Sequence, residues 1–237
     1  MRNGRKRPQM SGRKCRPAPR HFKIMTSKAL CALDYDGVIL DSMDRNLAAM
    51  RAACLRMGHN RLPGPRDLEA LDNMVFAELA RIIGVPENNH PALSELVFEE
   101  LTVSTVPARI FPGMAEALTR LSERFALAIV TANEADIVEE YLKESGLRHR
   151  FTHILGGESG EDKSQKLVRL MAKMGTDPQR TVMVGDAVSD IRMGRRAGVR
   201  TVAVSWGFQS VARLTEARPD AVVERPPDLP PLLAEWF

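Results

Sequence analysis

Hydrophobic residues along this chain fall into two patterns. Short, nearly continuous apolar runs occupy 29–34, 125–131 (FALAIVT), 152–156, 181–184 (TVMV), 201–204 (TVAV) and 221–223. Such runs suit strands of a parallel sheet that is buried on both faces. Between them, 114–124, 134–145, 164–174 and 187–197 carry a helical spacing of apolar positions. The alternation predicts an α/β fold, a doubly wound and mainly parallel sheet with helices on both sides.

One connection breaks this rhythm. Between Asp41 and Ala108 the pattern is helical throughout, and no strand is predicted. Met43, Leu47, Met50, Cys54 and Met57 mark one apolar stripe, Leu68, Leu71, Val75, Leu79 and Ile82 a second, and Leu93, Leu96, Val97 and Leu101 a third. Pro63, Gly64, Pro65 and Pro91 punctuate the segment. The stripes read as core packing. The domain expectation is therefore an all-helical cap at 42–107 inserted into an α/β core of 29–41 and 108–237.

Composition changes this picture mainly at the N-terminus. Residues 1–28 hold ten Lys or Arg and no acid, which leaves 24 bases against 30 acids in the rest, a net charge of −6. This stretch is poor in apolar residues and rich in Gly, Pro and Arg, so it is expected to be a disordered basic tail. It lacks the apolar stretch of a secretory signal. A nucleic-acid arm is one reading of it; the plainer one, favoured here, is an extension ahead of a true start at Met25. The cysteines Cys15, Cys31 and Cys54 show neither paired nor ligand-like spacing, which suits a reducing, cytoplasmic setting. No run is long enough for a membrane helix.

Candidate chemistry sits where strands end, since open parallel sheets bind ligands at the carboxyl edge. The first strand ends in Asp34, with Asp36 two residues on and on the same side. The FALAIVT strand ends in Thr131, and TVMV leads into Gly185 and Asp186, with Asp190 one helical turn later. Alone, GDAVSD could be a turn with Asp capping a helix. Together with DYDG it implies several carboxylates in one cleft, whose repulsion a hard divalent cation such as Mg²⁺ would relieve. The stretch GGESGEDKSQKL adds Lys163 and Lys166; Lys163, just ahead of a helix that Ser164 could cap, is the better placed for the cleft.

In this order, LDYDGVILDS, IVTAN, a lysine after the third strand and VGDAVSD resemble the four motifs of the haloacid dehalogenase superfamily, in its phosphatase branch. The helical insertion matches the position of that family's α-helical cap, and the resemblance covers about residues 29–223. It implies a Rossmann-like core with Asp34 as the nucleophile and Asp36 as general acid, then base. Mg²⁺ would be held by the Asp34 carboxylate, the Asp36 backbone carbonyl and Asp186, with Asp190 orienting a metal water or the lysine. Thr131 and the backbone N–H of Ala132 would hold phosphate oxygens together with Lys163, and Gly37 would permit the turn that brings amides to the phosphoryl group.

The implied activity is hydrolysis of a small phosphorylated metabolite, of phosphoglycolate or sugar-phosphate type, through an aspartyl-phosphate. A phosphomutase of β-phosphoglucomutase type shares these residues, and a non-catalytic binder tethered by the basic tail is the alternative of another class. Residues 42–107 contain no lysine, which speaks against a Schiff-base phosphonatase, and Asp36 speaks against dehalogenation. Trp206, Gly207 and Phe208 are expected to close the core. The arginines Arg45, Arg51, Arg61 and Arg66 are open as partners for an anionic substrate.

Overall fold

The computed structural model describes Met1, residues 28–73 and residues 75–237. Of the tail expected at 1–28, residues 2–27, with Cys15 and Met25, lie outside the described residues. In chain order the elements begin with β1 (Ala29–Leu33) and β2 (Leu40–Asp41). Four helices follow: α1 (Met43–Arg56), α2 (Pro65–Glu69), α3 (Phe76–Ile82) and α4 (His90–Val103). The chain continues through β3 (Arg109–Ile110), α5 (Met114–Arg124), β4 (Phe125–Val130), α6 (Ala135–Glu144), β5 (Phe151–Leu155) and α7 (Lys163–Met174). It ends with β6 (Thr181–Gly185), α8 (Val188–Arg196), β7 (Arg200–Val204), α9 (Val211–Glu216), β8 (Ala221–Val223) and α10 (Leu229–Trp236).

Six strands form one parallel sheet in the order β5-β4-β1-β6-β7-β8. Its winding reverses at β1, which pairs with β4 on one side and β6 on the other. Alternation along each strand distributes the core to both faces. Cys31, Leu33, Leu127 and Ile129 pack with Leu118 and Leu121 of α5 and Leu142 of α6. Leu30, Ala32, Ala128 and Val130 pack with Leu167 and Leu170 of α7. Both faces are therefore apolar, as continuous runs such as ALCAL require.

The helices α1 to α4 share a separate cluster that includes Met50, Cys54, Leu79, Leu93 and Val97. Two features here differ from the sequence expectation. Leu40–Asp41 and Arg109–Ile110 pair antiparallel, so a two-strand ribbon carries the chain out to the helices and back where no strand was expected. The second stripe is also not one helix but two. The chain leaves α2 after Glu69, and the Glu78 carboxylate accepts from the backbone N–H groups of Asp72 (2.9 Å) and Asn73 (3.0 Å), which fixes a turn before α3. Two further helices, α9 and α10, carry no clear sequence pattern because one is short and the other opens on Pro230 and Pro231. Among the described residues no helix is long and apolar enough to cross a membrane.

Candidate active site

The register explains why distant residues meet. Leu33 lies opposite Ile129 of β4 and Val184 of β6. The residues that leave these strands, Asp34, Thr131 and Asp186, therefore emerge side by side at the carboxyl edge where the winding reverses. Gly37 turns the chain with φ +76°, and a Cβ on it would lie 2.0 Å from Asp186 Oδ2. The turn thus requires glycine on two counts, its left-handed backbone and its approach to a carboxylate.

Asp34, Asp186 and Asp190 are buried, and their oxygens lie within 4.8 Å of one another. The Lys163 ammonium stands 2.5 Å from Asp34 Oδ2 and 2.6 Å from Asp190 Oδ1. Burial would lower that ammonium's pKa, but Asp190 and Asp34 outweigh it and hold the pKa above the usual lysine value. Burial pushes Asp190 up to about 6 against the pull of Lys163. Asp186 is raised well above the ordinary carboxylate range, by burial first and then by Asp190 and Asp34. One ammonium among three ionised carboxylates would leave two negative charges in a buried cluster. The all-oxygen donor set and this imbalance fit a hard divalent cation.

The Asp36 carboxylate stands outside that cluster. Ser42 Oγ donates to its Oδ1 (2.5 Å) and Asn133 Nδ2 to its Oδ2 (3.2 Å). Burial raises its pKa and the Asp34 charge adds to this, against the hydrogen bonds from Ser42 and Asn133. Two carboxylates two residues apart therefore occupy different surroundings, Asp34 beside an ammonium and Asp36 between neutral donors.

The two lysines divide their tasks. Lys163 reaches the carboxylates, whereas Lys166 is only 2% exposed and donates to the Thr131 carbonyl oxygen (2.8 Å). The helix cap is not Ser164, as the sequence suggested, but Asp162, whose carboxylate accepts from the Gln165 backbone N–H (2.9 Å) and from Ser164 Oγ (2.5 Å). Lys163 is consequently the first residue of α7. The Thr131 hydroxyl accepts from the Asn133 backbone N–H (3.1 Å), and Thr131 and Ala132 line the same cavity as Asp34 and Asp36.

Two contributors were not singled out from sequence, and two that were named there take other parts. Ser42 and Asn133 stand inside the quoted motifs, but nothing local says that they converge on Asp36. Lys166, the second lysine candidate, was expected within the helix's first turn, but its bond to the Thr131 carbonyl was not foreseen. Phe208 departs from the expectation of core closure: its backbone N–H donates to Asp186 Oδ2 (2.7 Å) and it lines the cavity. Trp206 does pack on the core beside Phe111, and its indole donates to the Val38 carbonyl (3.1 Å). The cavity over these groups measures about 530 Å³, and its far wall comes from α1, α3 and α4.

Residues 32–204 match the family model described as haloacid dehalogenase-like hydrolase. The chain belongs to this family. It is 30% identical over 197 residues to a phosphoglycolate phosphatase of Synechococcus elongatus, covering 83% of this chain and 92% of the relative. A phosphoglycolate phosphatase of Aliivibrio fischeri is 25% identical over 209 residues, with 81% and 91% covered. A haloacid dehalogenase-like hydrolase from Streptococcus pneumoniae shares the fold at a TM-score of 0.77 and 19% identity, over 90% of this chain and all of that one. Among haloacid dehalogenase-like hydrolases, this one is a phosphatase.

Proposed function

We propose that the protein is a Mg²⁺-dependent phosphatase that hydrolyses a small phosphorylated metabolite through an aspartyl-phosphate. The single observation that carries the reading is the contrast between Asp34 and Asp36, one beside the Lys163 ammonium and one held between Ser42 and Asn133. Asp34 attacks phosphorus while Asp36 gives its proton to the departing alcohol oxygen. Asp36 then takes a proton from water as that water displaces Asp34 from the phosphoryl group, returning both residues to their starting state. The raised pKa of Asp36 favours the protonated form that the first step needs.

Asp34, Asp186 and the Asp36 backbone carbonyl would hold Mg²⁺, with Asp190 beside them and bonded to Lys163. When bound, the ion supplies charge neutralisation at the transferring phosphoryl group. Lys163, Thr131 and the Ala132 N–H would share the phosphoryl oxygens. Residues 42–107 would act as a cap that excludes water while the aspartyl-phosphate forms. The printed names of the relatives make phosphoglycolate the first ester to test, followed by sugar phosphates. The free thiols of Cys31 and Cys54, both buried, are consistent with a cytoplasmic enzyme.

The test is phosphate release from a panel of monoesters with Mg²⁺ or with chelator, for wild type and Asp34→Asn. Turnover is expected with Mg²⁺ alone and is expected to vanish in Asp34→Asn, while acid-quenched wild type carries one phosphoryl group on the Asp34 peptide. Full turnover by folded Asp34→Asn would remove the covalent mechanism.

A further inference from the structure

We infer that the alcohol released is apolar and uncharged, so that the substrate is the phosphate monoester of an alkyl or aryl alcohol. The inference rests on the phosphatase reading and concerns the other end of the same cavity. Its floor holds the carboxylates and Lys163, which suit a phosphoryl group. The wall facing them is hydrocarbon: Leu47 of α1, Phe76 and Leu79 of α3, Phe98 and Leu101 of α4, and Leu71 from the turn between α2 and α3.

Polar groups on this wall are few, and each donates a hydrogen bond within the protein. Among the described residues, helices α1 to α4 and their turns contribute only Asn46 and Asn73 as polar side chains to the cavity. The Asn46 amide donates to Ser42 Oγ (3.4 Å) and the Asn73 amide to Glu78 Oε2 (3.2 Å). No arginine of the helical segment lines the cavity. Arg45 donates to the Leu101 carbonyl and Arg51 to the Pro63 carbonyl, Arg56 pairs with Glu99 and Glu100, and Arg61 pairs with Asp67. The other charged side chains that line the cavity are Glu161 and Asp162, which are negative, and Lys166, whose ammonium is already bonded to the Thr131 carbonyl beside the floor.

A carboxylate or a second phosphate on the alcohol would therefore lose water against leucine and phenylalanine with no cation on that wall to receive it. The hydroxyls of a sugar would also lack partners there. An alkyl or aryl group finds the opposite. Val75 and Phe98 line this cavity and are 43% and 39% exposed in all, and Phe98 meets Phe76 edge to face at 6.3 Å. Covering those side chains stabilises the bound ester in proportion to the apolar area removed from water. Glycolate, a two-carbon acid, would neither fill the space nor balance its charge.

The experiment compares kcat/KM for ethyl, butyl and hexyl phosphate with that for phosphoglycolate and glucose 6-phosphate, all with Mg²⁺. The alkyl series matches leaving-group basicity, so a trend within it reports the wall rather than the chemistry. We expect kcat/KM to rise by up to about fourfold per added methylene, and hexyl phosphate to exceed phosphoglycolate by at least about tenfold. Phe98→Arg, at a partly exposed position, should narrow that gap by placing a cation on the wall. A flat series, phosphoglycolate equal to or better than hexyl phosphate, or a gap untouched in folded Phe98→Arg would each overturn the inference and leave the phosphatase reading standing. Absence of Mg²⁺-dependent turnover on every ester would defeat both.

Discussion

Ser42 occupies the N-cap position of α1 without making a side-chain cap bond; its hydroxyl goes to Asp36 instead. Removing it should leave the Asp36 carboxyl less well aimed at the leaving oxygen. Ser42→Ala is expected to lower kcat on alkyl phosphates by about tenfold, the worth of one hydrogen bond, and Asp36→Asn by about 10²–10⁴-fold. Both losses should be smaller on p-nitrophenyl phosphate, whose leaving group departs without a proton. Equal losses on both ester types would count against a proton-donor role for Asp36. At Gly37, the left-handed backbone and the approach to Asp186 make Gly37→Ala costly. A destabilisation of at least about 2 kcal/mol is expected, read as a lowered melting temperature.

At the scale of elements, α7 depends on its first turn. Asp162 caps the helix, accepts from Ser164 and pairs with Arg196 at 3.0 Å. Its carboxyl is held below the usual carboxylate range, chiefly by the Ser164 hydrogen bond and then by the Gln165 N–H. Asp162→Ala should cost about 1 kcal/mol, or about 2–4 °C in melting temperature for a chain of this length. Because Lys163 is the next residue, fraying of this turn should also reduce kcat/KM. Asp162→Asn, which can still accept from the Gln165 N–H, should restore part of both quantities. The break between α2 and α3 is an element of the same kind: Glu78 ties down two backbone N–H groups and so sets where Leu71 enters the cavity wall.

Across the whole molecule, the helical segment is joined to the sheet side by more than the β2–β3 ribbon. Gln209, buried, accepts from the Val188 N–H (2.7 Å) at the start of α8 and donates to the Leu71 carbonyl (2.7 Å). Around it, Ser210 bonds Glu69, while Arg213 and Arg192 both reach Asp72. The exposed ion pair of Arg192 is worth little, and Arg192→Ala should change stability by less than about 1 kcal/mol. Gln209→Ala leaves the buried Val188 N–H without its partner, at about 1–3 kcal/mol, and leaves the Leu71 carbonyl only the longer bond from Arg213 Nη2 (3.2 Å). We expect faster proteolytic cleavage between α1 and α3 in Gln209→Ala than in Arg192→Ala. Equal cleavage rates would show that this side chain does not hold the segment in place.

What could be read from the sequence was whatever depends on near neighbours in the chain. Continuous apolar runs identified the sheet strands, and carboxylates at their ends identified Asp34, Asp36, Asp186 and Asp190, because strand period and strand ending are local properties. Tertiary structure decided everything that depends on which distant groups meet. The convergence of Ser42 and Asn133 on Asp36, the Phe208 N–H on Asp186 and the burial of Lys166 each join residues that no periodicity relates. Pairing of two-residue strands 68 to 70 positions apart leaves no pattern to detect. The apolar stripes of α1, α3 and α4 make the division plainest. Their spacing reveals which face of each helix avoids water, but not whether that face meets another helix or an open cavity. Met50 and Leu93 pack into the helical core, while Leu47 and Leu79 also face the cavity above Asp34. Packing alone separates these roles, because a hydrophobic side chain leaves water with the same gain in either place.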